Sequence, residues 1–169
     1  MSEPRWIKLN NGQYTCVDDE DYEKLVNFNW LITPQGYVAR SRPKTNKNGI
    51  KINSKVLMHR EVMGLTPNDK QHVDHINREK LDNTKSNLRL CTPSQNHANA
   101  KRKSETGYTG VMVANKNKPC QTYRASVWVN GIQHMRHGFK TAEEAALAYN
   151  EMAIQHFGEF ARLNEVPQC

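Results

Sequence analysis

The 169-residue sequence predicts an α+β chain of two small modules. Three observations carry that prediction. Between His72 and Asn99 the pattern runs strand, polar loop, strand, helix within thirty residues. Between Gly107 and Phe157 three alternating runs precede one alanine-rich helix. With 37% hydrophobic residues, each core must be modest.

In chain order, Trp6 to Val17 reads as two strand pieces turning at Asn11-Gly12. Asp18 or Asp19 is placed to cap a helix that buries Tyr22, Leu25, Val26 and Trp30. Gly36–Arg42 and Gly49–Asn53 read as strands joined by a polar loop, and Ser54 is expected to cap a helix from Val56 to Met63 that stops at Gly64. His72–Ile76 and Leu88–Cys91 are strands flanking the long loop Asn77–Asn87. Thr92, Pro93 and Gln95 form a capping box with proline at the first helical position. After the basic stretch KRKSE come three strands, the last two joined at Asn130-Gly131. Thr141 and Glu144 form a second capping box, and Ala142, Ala145, Ala146, Tyr149, Met152, Ala153, His156 and Phe157 share one face of the helix that follows.

Charge is concentrated. From Lys101 to Ala142 there are eight Lys or Arg residues against the single acid Glu105, a surplus equal to the whole net charge of +7. Arg40 to Arg60 holds seven more Lys or Arg and no acid. Such surplus favours a polyanionic partner, nucleic acid first. No apolar run nears the ~18 residues that span a bilayer, and the N-terminus shows no signal-peptide pattern, so no membrane association is expected. The four cysteines are scattered without a CxxC pair, which speaks against a disulfide framework or structural zinc and for a reducing compartment.

Hydrolysis of a phosphodiester needs an activated water, stabilised charge on phosphorus and a leaving oxygen. Asp74, His75 and Asn96 offer one hard anionic ligand, one base matched to neutral pH and one neutral oxygen ligand. The run DHIN-x3-LDN-x3-NLR-x2-T-x2-QN-x2-N resembles the HNH (ββα-metal) nucleases, particularly the small homing-type enzymes of phages. The resemblance implies that Asp74 and Asn96 bind one Mg2+ (or Mn2+) ion per active site and that His75 is the general base. It implies that Asn87 ties the long loop to the strand backbone. Its core covers about residues 57–100, within a first module of 1–100, with a basic linker at 101–106. Strict strand alternation would send Asp74 and His75 to opposite faces, so the strand must end or bend there. His59 reads as a packing or orienting residue, and Asn77 and Asn83 as turn formers.

GYTGV and GFKTAEEAALAYNEMAIQHFGEFARLN, with the strands between them, resemble the ethylene-response-factor (APETALA-type) DNA-binding domain over 107–166. Alternation sets Arg124, Ser126 and Trp128 on the face away from the helix. With Arg136, Lys101, Arg102, Lys103, Lys116, Lys118 and Arg89 they form the expected double-stranded DNA contacts. The sum is a divalent-metal DNA endonuclease of the host-cell cytoplasm acting on phage or host DNA, a monomer or weak dimer with no obvious protein partner. The competing readings are a non-catalytic DNA-binding regulator that uses the C-terminal sheet, and an RNA nuclease.

Overall fold

A computed structural model describes residues 3–45, 51–100, 104–115 and 120–167. The chain divides into two compact units, Met1–Cys91 and Thr92–Cys169, with small antiparallel sheets and short helices in a mixed α+β arrangement.

The first unit opens with a hairpin. β1 (Arg5–Lys8) pairs with β2 (Tyr14–Val17), and Gly12 turns the chain with φ +85°. Helix α1 (Asp19–Leu25) follows. Asp18 stands at its cap position, but its Oδ2 accepts from the Lys85 backbone N–H at 2.7 Å instead of capping its own helix. Trp30 lies beyond the helix, buried, its indole N–H donating to the Leu25 carbonyl at 2.8 Å. Next come β3 (Leu31–Ile32), β4 (Val38–Thr45) and β5 (Lys51–Leu57), a sheet in that order.

The helix expected from Val56 starts later. Val56 and Leu57 are still paired with Arg40 and Ala39, and the Ser54 hydroxyl donates to the Arg42 carbonyl at 3.2 Å. Cross-strand pairing outweighs local capping there, and α2 spans only Met58–Val62. β6 (His72–His75) and β7 (Leu88–Cys91) form a separate antiparallel pair, in register Asp74 to Arg89 and His75 to Leu88. Ile7, Leu9, Val17, Leu25, Trp30, Val38, Met58, Val62, Val73 and Leu88 make one core, which ties the β6–β7 pair to the hairpin and to β4.

The second unit begins with α3 (Pro93–Asn99), whose capping box is complete: Gln95 N–H donates to Thr92 Oγ1, and the Gln95 side chain accepts from Thr92 N–H. α3 contributes Ala98 to the second core, which is why the division falls before it and not at the basic stretch. β8 (Val111–Val113), β9 (Tyr123–Val129) and β10 (Ile132–Phe139) form an antiparallel sheet with β9 central. Asn130 and Gly131, at φ +50° and +84°, make the β9–β10 turn. α4 (Ala142–Phe157) lays Ala145, Ala146, Tyr149, Met152 and Ala153 on Val111, Ala125 and Val127. Asn164 pins the C-terminal tail, accepting from Thr109 N–H at 2.7 Å and donating to the Thr109 carbonyl at 3.0 Å.

At Gly110 the sheet and α4 approach closely. At φ +70°, a Cβ would overlap the Tyr149 ring and sit 2.7 Å from the Ser126 carbonyl. Gly131 also has positive φ, but a Cβ there meets nothing. Gly131→Ala is expected to cost about 1 kcal/mol, the left-handed backbone penalty alone. Gly110→Ala should cost at least twice that, read by urea denaturation of the full chain.

Candidate active site

β6 ends at His75 because the chain turns sharply away. Arg78 N–H donates back to the His75 carbonyl at 2.9 Å, Arg78 itself takes φ +69°, and Glu79 N–H bonds the Asn77 side-chain oxygen. Ile76 N–H still reaches the Asn87 carbonyl at 2.8 Å. Val73, Asp74 and His75 are all buried, so both faces of the strand are covered at this end.

The loop from 76 to 87 is closed by its own side chains. Asn87 Oδ1 accepts from Asn77 N–H and Asn87 Nδ2 donates to the Asp82 carbonyl, both at 2.9 Å. Burial pushes the Asp82 carboxyl up, but hydrogen bonds from Thr84, Cys16 and Asn77 outweigh it and hold the group below its ordinary value. Burial and the same carboxylate push the Cys16 thiol up to about 11. Asn83 is fully buried, donating to Thr15 Oγ1 at 2.8 Å and the Lys80 carbonyl at 3.3 Å. The short 3-10 turn Lys85–Asn87 is held to α1, where the Lys85 ammonium pairs with Glu20 and with Asp21.

His75 sits among side chains from three elements. Its Nε2 lies 3.4 Å from Asn83 Oδ1. The His59 ring meets it edge-on, centroids 5.1 Å apart at 80°, and Tyr37 lies 6.0 Å away. Burial lowers the His75 pKa, opposed by the Asn83 contact and the charge of Asp74. His59 is lowered further, to about 3, by burial first and then by His75 and Arg60. Its Nδ1 is buried without a hydrogen-bond partner. Tyr37 is raised by burial and then by the charge of Asp74. Two imidazoles and a phenol are thus held neutral beside one carboxylate.

Asp74 faces its register partner. Arg89 donates to Asp74 Oδ2 through Nε at 3.0 Å and Nη2 at 2.8 Å, and both side chains are largely buried. Arg89 was expected on phosphate; in this structure its guanidinium instead neutralises Asp74, because pairing sets the two directly opposite. Asn96 is carried by α3 of the second unit, half-buried, its N–H bonded to the Thr92 carbonyl at 3.0 Å. Among the described residues, no group of three or more His, Cys, Asp or Glu side chains is placed to hold a metal.

In the second unit the outward face of β9 carries Arg124, Ser126 and Trp128. Trp128 is 49% exposed. Ser126 departs from the expected DNA contact: it is only 6% exposed, and its N–H bonds the Gly110 carbonyl. Arg124 is half-buried, its Nη2 4.0 Å from Met112 Sδ. Arg136 also departs from the expectation. It is in register with Ala125, on the helix side, and pairs with Glu151 of α4 at 2.6 Å. Lys101, Arg102, Lys103, Lys116 and Lys118 lie outside the described residues. No helix of the described residues is long and apolar enough to cross a membrane.

Residues 56–98 match a family model described as HNH endonuclease. Over 160 residues the chain is 35% identical to an uncharacterised HNH endonuclease of Acanthamoeba polyphaga mimivirus, covering 92% of this chain and 76% of that protein. A second such protein of the same virus is 33% identical over 96 residues, covering 53% of this chain and 27% of that one. No solved structure matches.

The neutral histidines give stability a pH dependence. Unfolded histidine takes a proton near pH 6.5, whereas folded His59 resists protonation to about 3. In that window the unfolded chain binds more protons, so stability falls as pH falls, by up to about 1.4 kcal/mol per pH unit for each such histidine. Urea denaturation between pH 4 and pH 7 is expected to show this slope, and His59→Leu should remove about one proton's share of it.

Proposed function

Because the chain belongs to the HNH endonuclease family and is therefore an endonuclease, we propose that it hydrolyses a phosphodiester of double-stranded DNA with His75 as general base. In this reading Asp74 and Asn96 are the protein ligands of one Mg2+ (or Mn2+) ion. HNH nucleases typically depend on a divalent metal. The observation that carries the reading is the placement of His75. It is buried at the end of β6, where burial lowers its pKa, with the Asp74 carboxylate as its chain neighbour.

The residues present suit a hard cation. One carboxylate and one amide oxygen, completed by water, is a donor set of the magnesium kind, and a thiolate or multi-imidazole set is absent among the described residues. When bound, the ion stabilises the extra charge on phosphorus and on the leaving oxygen. The chain's own residues do the rest. His75, uncharged, takes the proton from the attacking water. His59, Tyr37 and the burial around them exclude bulk water from the imidazole. Asp74 would present the anionic oxygen to the ion, and Arg89 balances its charge. Asn96 rests on the motif spacing.

The second unit supports duplex binding in the manner of the ethylene-response-factor domains it resembles in sequence, with Arg124 and Trp128 reading the groove and the basic segments at 101–103 and 116–118 meeting phosphates. We assign a homing-type role on phage or host DNA in the host-cell cytoplasm. The functional modules are 1–100 and 107–166, the protein acts as a monomer or weak dimer, and the simplest product is a nick. The endonuclease family sets the regulator reading aside.

His75→Ala and Asp74→Ala should each reduce nicking of supercoiled plasmid with Mg2+ by at least ~100-fold, with duplex binding by gel shift nearly unchanged and EDTA abolishing wild-type cutting. Cleavage by His75→Ala equal to wild type would sink the mechanism.

A further inference from the structure

Arg78 stands where an arginine is unexpected. It occupies the turn that ends β6 at φ +69°, a left-handed backbone that glycine adopts freely and asparagine tolerates, but that arginine disfavours. Among the described residues the other non-glycine with positive φ is an asparagine, Asn130. Hydrogen bonds on both sides impose the conformation. Ile76 N–H donates to the Asn87 carbonyl, Asn77 N–H to Asn87 Oδ1, Arg78 N–H to the His75 carbonyl, and Glu79 N–H to Asn77 Oδ1. Glycine at 78 would make the same backbone bonds with less strain. Strain kept so close to a candidate general base points to a use for the side chain.

That side chain is exposed and has no hydrogen-bond or ion-pair partner among the described residues. The basic residues around it are engaged. Lys80 Nζ donates to the Gln35 carbonyl at 2.6 Å and lies over the Tyr37 ring, Lys85 pairs with Asp21, and Arg89 is bound to Asp74. Arg60 donates to the carbonyls of Thr66, Asp69 and Gln71. Lys70, also without a partner, lies ahead of β6, at the end of the strand away from His75.

We propose that Arg78 is a phosphate-binding residue of the active site, its guanidinium taking two non-bridging oxygens of a backbone phosphate on the strand that is cut. The planar fork of N–H donors matches two phosphate oxygens, and it stays charged at any working pH. Arg89, the arginine that the spacing assigned to phosphate, is committed to Asp74, and that pair is neutral overall. Arg78 supplies the positive charge that the pair does not. The locked turn ties its backbone to that of His75, so a phosphate held there keeps a fixed relation to the base. The effect on cutting rests on the nuclease reading; the phosphate contact can be measured without any cutting.

The test compares the full chain with Arg78→Gly and Arg78→Asn, which both suit the left-handed backbone, and with Arg78→Lys. Affinity for a random-sequence DNA duplex is measured against KCl concentration in EDTA. Loss of one phosphate contact lowers the slope of log affinity against log salt by about 0.9, and this is expected of Arg78→Gly and Arg78→Asn. Arg78→Lys, which keeps a charge, should hold the wild-type slope. With Mg2+, kcat/KM for plasmid nicking should fall at least ~10-fold in the glycine and asparagine variants, and less in the lysine variant. The urea midpoint of Arg78→Gly should equal or exceed that of wild type, because the strain is gone. A wild-type salt slope in Arg78→Gly overturns the proposal. So does a urea midpoint lowered in both the glycine and asparagine variants, which would make Arg78 a structural residue. A lowered slope with wild-type nicking would put the contact outside the cleaved site and overturn the role assigned here. A wild-type chain that cuts no nucleic acid, but whose salt slope falls in Arg78→Gly, would defeat the nuclease mechanism and leave the phosphate contact standing.

Discussion

A polar side chain can be buried from an irregular loop only if it finds a partner, and this constraint on Asn83, Thr84 and Asn87 governs the first unit. The twelve residues from 76 to 87 leave β6, wrap round and return as β7 with little regular structure of their own. Unpaired, each buried amide would cost on the order of 1–3 kcal/mol. The sequence answers with short polar side chains. Asn87 closes the loop across its neck, Asp82 gathers Thr84 and Asn77, and Asn83 reaches into β2. The geometry of His75 is the downstream result, since its carbonyl, its ring nitrogen and the end of its strand are all set by this loop.

Electrostatics follows the same economy. Asp74 is buried with a guanidinium on one of its oxygens, a charge pair that is stable while both partners remain. Around it stand groups whose charged forms are disfavoured: His59 and His75 uncharged, and Tyr37 protonated. The site is thus close to neutral overall, although the chain carries a formal +7. The acidic run around α1 anchors Lys85 at the start of the turn that delivers Asn87.

What could be read from the sequence was local. Both capping boxes, the Asn130-Gly131 turn and the period of α4 are set by residues within a few positions of each other, and they appear in the structure as read. The same holds for β7, whose bounds coincide with the expected strand. What failed or stayed hidden was non-local. Ser54 looked like a cap, but β4 kept the chain extended to Leu57. Ser126 and Arg136 looked available because alternation alone cannot show the Gly110 carbonyl or Glu151 of α4. Tyr37 gave no signal, and nothing in the spacing linked Thr15 to Asn83 or His59 to His75, since those pairs meet only after the core has formed.

The dependence of the β6–β7 loop on β2 bears on inheritance. The stretch 56–98 that carries the family pattern has the outline of a portable cassette. Its strands nevertheless share a core with Ile7, Val17 and Trp30, and its loop hangs on Thr15, Asp18 and the Cys16 backbone. A recombination joint just upstream of Val56 would carry away the motif and abandon the scaffold that shapes it. Breakpoints that preserve a working enzyme must therefore fall before the N-terminal hairpin, so the heritable piece is larger than the motif that identifies it.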